Sequence, residues 1–241
     1  LKRQRTILGI VLREIGRKRP EATLENSARI SHLDHLLARA ERIRKQQPKN
    51  KNKLYALHAP EVECIGKGKA RKRYEFGVKV GIAVTHKQGL IVGARAFPGN
   101  PYDGHILREQ LEQVSILLED VGGKPRQAVV DLGFRGVDGE NPGVEILHRG
   151  KTKRLSLRQR RWLKRRSAVE PVIGYLKADH RMDRCWLAGA TGDALHAVLC
   201  AAGYNLRWLM RAVARRGLTG FFALWVLFVR LAKFRLRLLV G

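Results

Sequence analysis

Asp131 and Glu170 are the two acids whose surroundings invite chemistry. Asp131 closes the apolar run Gln127-Ala128-Val129-Val130 and is followed by Leu132-Gly133-Phe134-Arg135-Gly136. That pattern reads as a buried strand emptying into a glycine loop, and an acid at the carboxyl end of such a strand faces a cleft. Glu170 stands alone among cations in the stretch Arg166 to Lys177. A strand-end acid and an acid on a later helix can bring oxygen ligands together for Mg²⁺, which takes one or two carboxylates and keeps several waters. Two-metal phosphoryl chemistry requires acids of this kind. Spacing leaves a second reading open, because Ser167-x-x-Glu170 is also a capping box in which Glu170 satisfies a backbone donor.

The elements that must position these acids follow from periodicity. At 100° per residue Arg166, Glu170 and Lys177 share one narrow helical face, while Val169, Val172, Ile173 and Leu176 gather on another. Pro171 has no N–H and would break a helix interior, so it belongs to the first turn and puts Glu170 at the helix start.

Further motifs stand in a fixed order around these acids. They are Leu57-His58-Ala59-Pro60-Glu61-Val62-Glu63-Cys64-Ile65-Gly66-Lys67-Gly68-Lys69, Tyr74-Glu75-Phe76-Gly77-Val78-Lys79 and Pro98-Gly99-Asn100-Pro101-Tyr102-Asp103-Gly104-His105. Val130 to Gly136, the Glu170 helix and Gly192-Asp193-Ala194-Leu195-His196-Ala197-Val198-Leu199 follow. Over most of residues 1–210 the chain resembles the DDE transposases of the insertion-sequence IS5 group. The resemblance implies an RNase H-like fold on which three acids bind two Mg²⁺ (or Mn²⁺) ions that cut and rejoin transposon ends. It also implies double-stranded DNA as partner and a homodimer in the transposition complex. The family signature Tyr-x2-Arg-x3-Glu-x6-Lys is matched by Arg166, Glu170 and Lys177, with Leu163 where the Tyr would stand. Asp131 matches the second acid. Lys67, Lys69, Lys79, Arg135, Arg165, Arg166 and Lys177 are then the expected DNA contacts.

The first acid of the resemblance, in a Val-Asp-x-Thr strand, has no counterpart before Leu54. The expectation is therefore the C-terminal part of a catalytic region, inactive by itself, with Asp34 and Glu61 as weak substitutes. The rival reading is a non-catalytic basic DNA-binding remnant.

A net charge of +27 over 241 residues calls for a polyanionic partner, since neutralising phosphates releases counterions. At 44% hydrophobic the chain is long enough for one sizeable core. Cys64, Cys185 and Cys200 show no metal-binding spacing and leave an odd count, which reads as reduced thiols in a cytosol, most simply buried small hydrophobes; the resemblance implies a cytoplasmic, nucleoid-associated bacterial protein. Gly66 to Arg73 lacks the spaced glycines and terminal Ser/Thr of a phosphate-binding P-loop and reads as a cationic loop.

The organisation expected is an α/β fold with a mixed sheet: residues 1–53 a basic helical hairpin and linker, 54–210 the catalytic domain, 211–241 a basic hydrophobic helical tail. Pro20 separates the two helices of the hairpin. Alternation from Tyr74 to Val84 predicts one half-buried strand, with Leu90 to Phe97 returning as its antiparallel partner. The spacing predicts a helix over about 105–119, capped by Asp103, with Leu107, Leu111, Val114, Leu117 and Leu118 inward and His105 a helix-start contact. Between Arg149 and Arg166 ten Lys/Arg and no acid predict a segment disordered or clamped on phosphate. A helix over 193–210 is expected to bury Leu195, Val198, Leu199, Ala202 and Leu206, with His196 structural. The apolar run 221–230 is too short to span a membrane and reads as a surface or partner-binding helix.

Overall fold

The computed structural model describes residues 2–23, 25–67, 73–217, 220, 222–226 and 229, without the side chains of 152–154. The chain divides into two compact units: Leu1–Lys79 with Ala96–Pro101 and Leu187–Asp193, and Val80–Arg95 with Tyr102–Trp186 and Ala194–Gly241.

The first unit carries the helical hairpin, α1 (Lys2–Lys18) and α2 (Ser27–Lys45). Half-buried Leu8, Leu12 and Ile15 mark the inner face of α1, and Ile7, Ile10 and Val11 stay exposed. Gly9 is buried where the helices meet, and a Cβ there would make ordinary contact with the Arg44 side chain, 3.5 Å from its Cδ. Arg19 grips Asp34 with two N–H groups at 2.8 and 2.5 Å. A short antiparallel pair follows, β1 (Glu63–Gly66) with β2 (Tyr74–Gly77), Cys64 opposite Phe76.

The long strand expected from Tyr74 to Val84 is two strands. Gly77 adopts φ 145°, a conformation open to glycine, and the chain leaves β2 there to begin β3 (Lys79–Val84). The break takes Tyr74 and Phe76 out of the core, and both are exposed.

In the second unit β3 and β4 (Ile91–Phe97) form a hairpin, its turn closed by Thr85 N–H to Leu90 C=O at 2.8 Å. Helix α3 (Asp103–Leu117) packs on β4, where a Cβ on Gly93 would lie 2.6 Å from Gln110 Nε2 and 2.9 Å from Val114 Cγ2. Asp103 is the first helical residue, not the cap; Tyr102 holds the cap position, and its ring meets His105 edge-on at 5.7 Å. Leu117, the last residue of α3, is exposed, against the expectation.

Strand β5 (Gln127–Val129) pairs in parallel with β6 (Glu145–Leu147), Val129 opposite Leu147. Leu107, Val137 and Ile146 close one side of this pair and Leu147, Leu155 and Leu163 the other. Among the described residues the strands thus make three two-stranded sheets in place of one mixed sheet.

The cationic segment 149–166 is helical. A 3-10 turn at Arg149–Arg154 leads into α4 (Leu157–Arg165). There Ser156 and Gln159 form a full capping box, Leu155 and Leu163 are buried and the Arg158 guanidinium lies 5.0 Å from the Trp162 ring centre. Cap and core contacts outweigh the exposed repulsion, which solvent screens.

A 3-10 turn, Arg166–Ala168, joins α4 to α5 (Val169–Ala178). Pro171 accounts for the interruption: in a continuous helix its ring would meet the carbonyl of Ser167. Val172 and Leu176 of α5 enter a core with Ile91, Ala94, Cys200 and Ala201. Helix α6 (Gly189–Arg216) turns Cys200 and Ala201 to that core, buries Ala197, and leaves Leu195, Val198, Leu199, Ala202 and Leu206 exposed, the reverse of the expectation. Small residues win the inner face because α6 runs close to the hairpin: Asn205 accepts the Ile91 N–H at 2.9 Å and donates to the Ile91 carbonyl at 2.7 Å. Cys200 alone of the three thiols is buried, and Cys185 is exposed. Among the described residues no helix is long and apolar enough to cross a membrane. The calls on residues 68–72 and on most of 227–241 lie outside the described residues.

Candidate active site

Asp131 is delivered by β5. The strand is pinned by its parallel partner, and Val130 N–H continues the ladder to Leu147 C=O at 2.9 Å. The chain then turns into a 3-10 turn, Leu132–Phe134, which Asp131 opens as its cap, Oδ1 accepting the Leu132 N–H at 2.8 Å. Oδ2 is left to face Arg166. Glu170 is delivered by the first turn of α5, held down by the buried Val172 and Leu176.

The two acids meet at one guanidinium. Arg166 Nη1 lies 3.3 Å from Asp131 Oδ2, and Nη2 lies 3.4 Å from Glu170 Oε1. The Arg166 side chain is 20% exposed against 58% for Asp131 and 69% for Glu170, so the cation sits inside and the carboxylates open outward. Arg166 Nε is buried without a hydrogen-bond partner.

The capping box at Ser167 and Glu170 does not form. Ser167 lies within the turn after α4, and its hydroxyl donates back to the Lys164 carbonyl at 3.0 Å; no side chain caps α5. The double bridge by Arg166 was missed in the sequence, where Arg166 was assigned to phosphate alone. The Arg-x3-Glu spacing that carries half of it is an i,i+4 pair and was legible.

Other residues expected at the site are engaged locally. Arg135 Nε donates to the Leu132 carbonyl at 3.3 Å, and Arg165 donates to the Lys87 carbonyl at 3.0 Å. Lys177 is half-buried on α5. In the first unit Lys67 pairs with Glu75 at 2.9 Å, and Lys79 donates to the Pro101 carbonyl. Lys69 lies outside the described residues. Asp34 is committed to Arg19, and Glu61 accepts the Gly189 N–H at 2.8 Å.

The donor set is one of hard oxygens. Two carboxylates converging on one cationic group fit a single Mg²⁺ or Mn²⁺ ion whose shell is completed by water. Among the described residues no group of three or more His, Cys, Asp or Glu is placed to hold a metal ion.

His148, directly after β6, is 6% exposed, and its Nδ1 accepts the Gly150 N–H at 3.1 Å. Burial first, then the Lys151 ammonium, hold its pKa below the ordinary imidazole value.

The profile of a family described as Transposase DDE domain matches residues 42–206, a span that includes Asp131, Arg166 and Glu170. No curated protein and no solved structure matches the chain.

Proposed function

Since the chain belongs to the Transposase DDE domain family, we propose that its Asp131–Glu170 pair is part of a divalent-ion centre for DNA strand cleavage and transfer, of the IS5-group kind, on an RNase H-like arrangement. The observation that carries this reading is the convergence of both carboxylates on the single Arg166 guanidinium. Acids from a strand end and from a later helix come together there, at positions the family signature assigns to them.

Asp131 and Glu170 would hold Mg²⁺ or Mn²⁺. Such ions, when bound, stabilise the attacking and leaving oxygens of an in-line displacement. The chain's own contribution is to aim the two carboxylates, through β5 and α5, and to hold the DNA. Arg135, Arg165, Arg166 and Lys177 in the second unit, with Lys67, Lys69 and Lys79 in the first, supply cations for backbone phosphates, contacts that position a duplex without reading its sequence. In this reading residues 1–53 are the end of a basic insertion, 54–210 the catalytic region and 211–241 a basic tail, and the protein works as a homodimer in the bacterial cytoplasm.

The test is Mn²⁺ binding, followed by the relaxation of water protons. Binding by the chain that is lost in both Asp131→Asn and Glu170→Gln supports the centre. Binding that ignores both substitutions overturns it. A second reading, a DNA-binding remnant without catalysis, is favoured by the two-acid donor set, and the same titration separates it from the first: a remnant binds duplex DNA but shows no Mn²⁺ binding that depends on Asp131 and Glu170.

A further inference from the structure

Arg166 stands where a cation is wanted. Its guanidinium touches one oxygen of each acid, at 3.3 and 3.4 Å, both long for charge-assisted hydrogen bonds. Nε is buried and donates to nothing. A planar fork of five N–H donors that makes two loose contacts among the described residues is poorly satisfied, and the buried donor carries a desolvation cost. Both carboxylates are more than half exposed, so an ion from solvent reaches them without movement of β5 or α5.

Resting on the metal-centre reading above, we propose that Arg166 is the resident counter-ion of the Asp131–Glu170 pair. It keeps the two acids converged while no metal is present and yields its place when a divalent ion binds. A hard ion at 2.0–2.1 Å from carboxylate oxygen makes far closer contacts than the guanidinium does. The displaced fork then matches a phosphate oxygen pair bidentately, the partner for which Arg is best shaped. Ion binding and the release of a phosphate-gripping cation are thereby one event, and Arg166 acts as a positioning residue first and a DNA contact second.

The inference is tested on the whole chain with Mn²⁺ and Mg²⁺ as the probes. Arg166→Gln removes both the competitor and its charge, and the expected result is Mn²⁺ affinity raised on the order of tenfold, the scale of one unit charge close to the ion. The gain should vanish when Asp131→Asn is added. If wild-type chain binds no Mn²⁺ but Arg166→Gln does, with the same dependence on Asp131, the guanidinium is shown to hold the ion off. Unchanged or weaker binding in Arg166→Gln, with acid-dependent binding in the wild type, overturns the counter-ion role and leaves the metal centre standing. No acid-dependent binding in either protein overturns both. The wild type gives a readout independent of how the variant folds: the Arg166 Nε–H signal in a nitrogen-15 spectrum should shift during Mg²⁺ titration. A signal that stays fixed while the ion binds at the acids also overturns the proposal.

Discussion

The Asp103 carboxylate occupies the space a side chain on Gly133 would need: a Cβ built on Gly133 would lie 2.6 Å from Asp103 Oδ2 and 3.3 Å from Asp103 Cβ. The first turn of α3 thus abuts the loop that leaves Asp131, and a side chain at position 133 fits only if the Asp103 carboxylate turns aside.

Gly133→Ala should therefore destabilise the chain by about 1–3 kcal/mol, the usual cost of forcing atoms into a packed site. Asp103→Ala made alongside should recover much of that loss, since contacting sites are not additive. Denaturant unfolding of the four proteins measures the coupling. Equal losses with and without Asp103 would show that the contact is not what limits Gly133.

Acid should loosen the β5–β6 region before the carboxylates titrate. The depressed pKa of His148 means that the folded chain binds fewer protons than the unfolded one below the ordinary imidazole value of 6.5. Its contribution to stability is complete above that pH and is lost as pH falls through it. Protonation at Nδ1 also removes the acceptor for the Gly150 N–H. His86, depressed by burial and by the Arg165 charge, acts in the same direction. Melting temperature measured between pH 7.5 and 5 should fall, and His148→Gln with His86→Gln should flatten that slope.

Binding to duplex DNA should be steeply dependent on salt and nearly indifferent to sequence. Cations such as Arg158, Arg160, Arg161, Lys164 and Arg165 ride on α4, and a protein making 6–10 phosphate contacts loses roughly 10³–10⁵ in affinity between 50 and 200 mM salt. Fluorescence anisotropy at those two concentrations decides the matter. Affinity that barely moves would exclude phosphate neutralisation as the driving term.

By itself this chain should neither nick nor join an end-containing duplex in Mg²⁺ or Mn²⁺. In-line displacement with two ions needs more carboxylates than Asp131 and Glu170 to fix its geometry, and a loss of ~4 kcal/mol of transition-state stabilisation is about a thousandfold in rate. Nicking that is robust and abolished by both Asp131→Ala and Glu170→Ala would show that another acid has completed the set.

Local signals were the legible ones. The apolar run before Asp131 gave β5, and Pro171 put Glu170 in the first turn of α5. The capping motif Ser/Thr-x-x-Glu/Gln occurs twice in this stretch. It closes at Ser156–Gln159, where the chain enters a helix from extended backbone, with ψ 162° at Ser156. It fails at Ser167–Glu170, where the chain leaves one helix straight for another. A motif states what a side chain can bond; the backbone entering it decides whether it does. Periodicity likewise found the stripes of α6 but not which stripe faces inward, because Ala197, Cys200 and Ala201 owe their burial to a close neighbour and not to their own hydrophobicity. The break at Gly77 was hidden by unbroken apolar alternation on either side of it.

The parallel pairing of β5 with β6 bears on the order in which this site can be assembled. Antiparallel partners can zip from a tight turn, whereas β5 finds β6 only after the intervening stretch has closed on itself, with Val137 seated against Leu107 and Ile146. That closure costs chain entropy before any contact rewards it. The Asp131 end of the site should therefore form late in folding, after helices α4 and α5, whose bonds are local, have already carried Arg166 and Glu170 into place. A chain caught before that step would hold the guanidinium and one acid, waiting for the second.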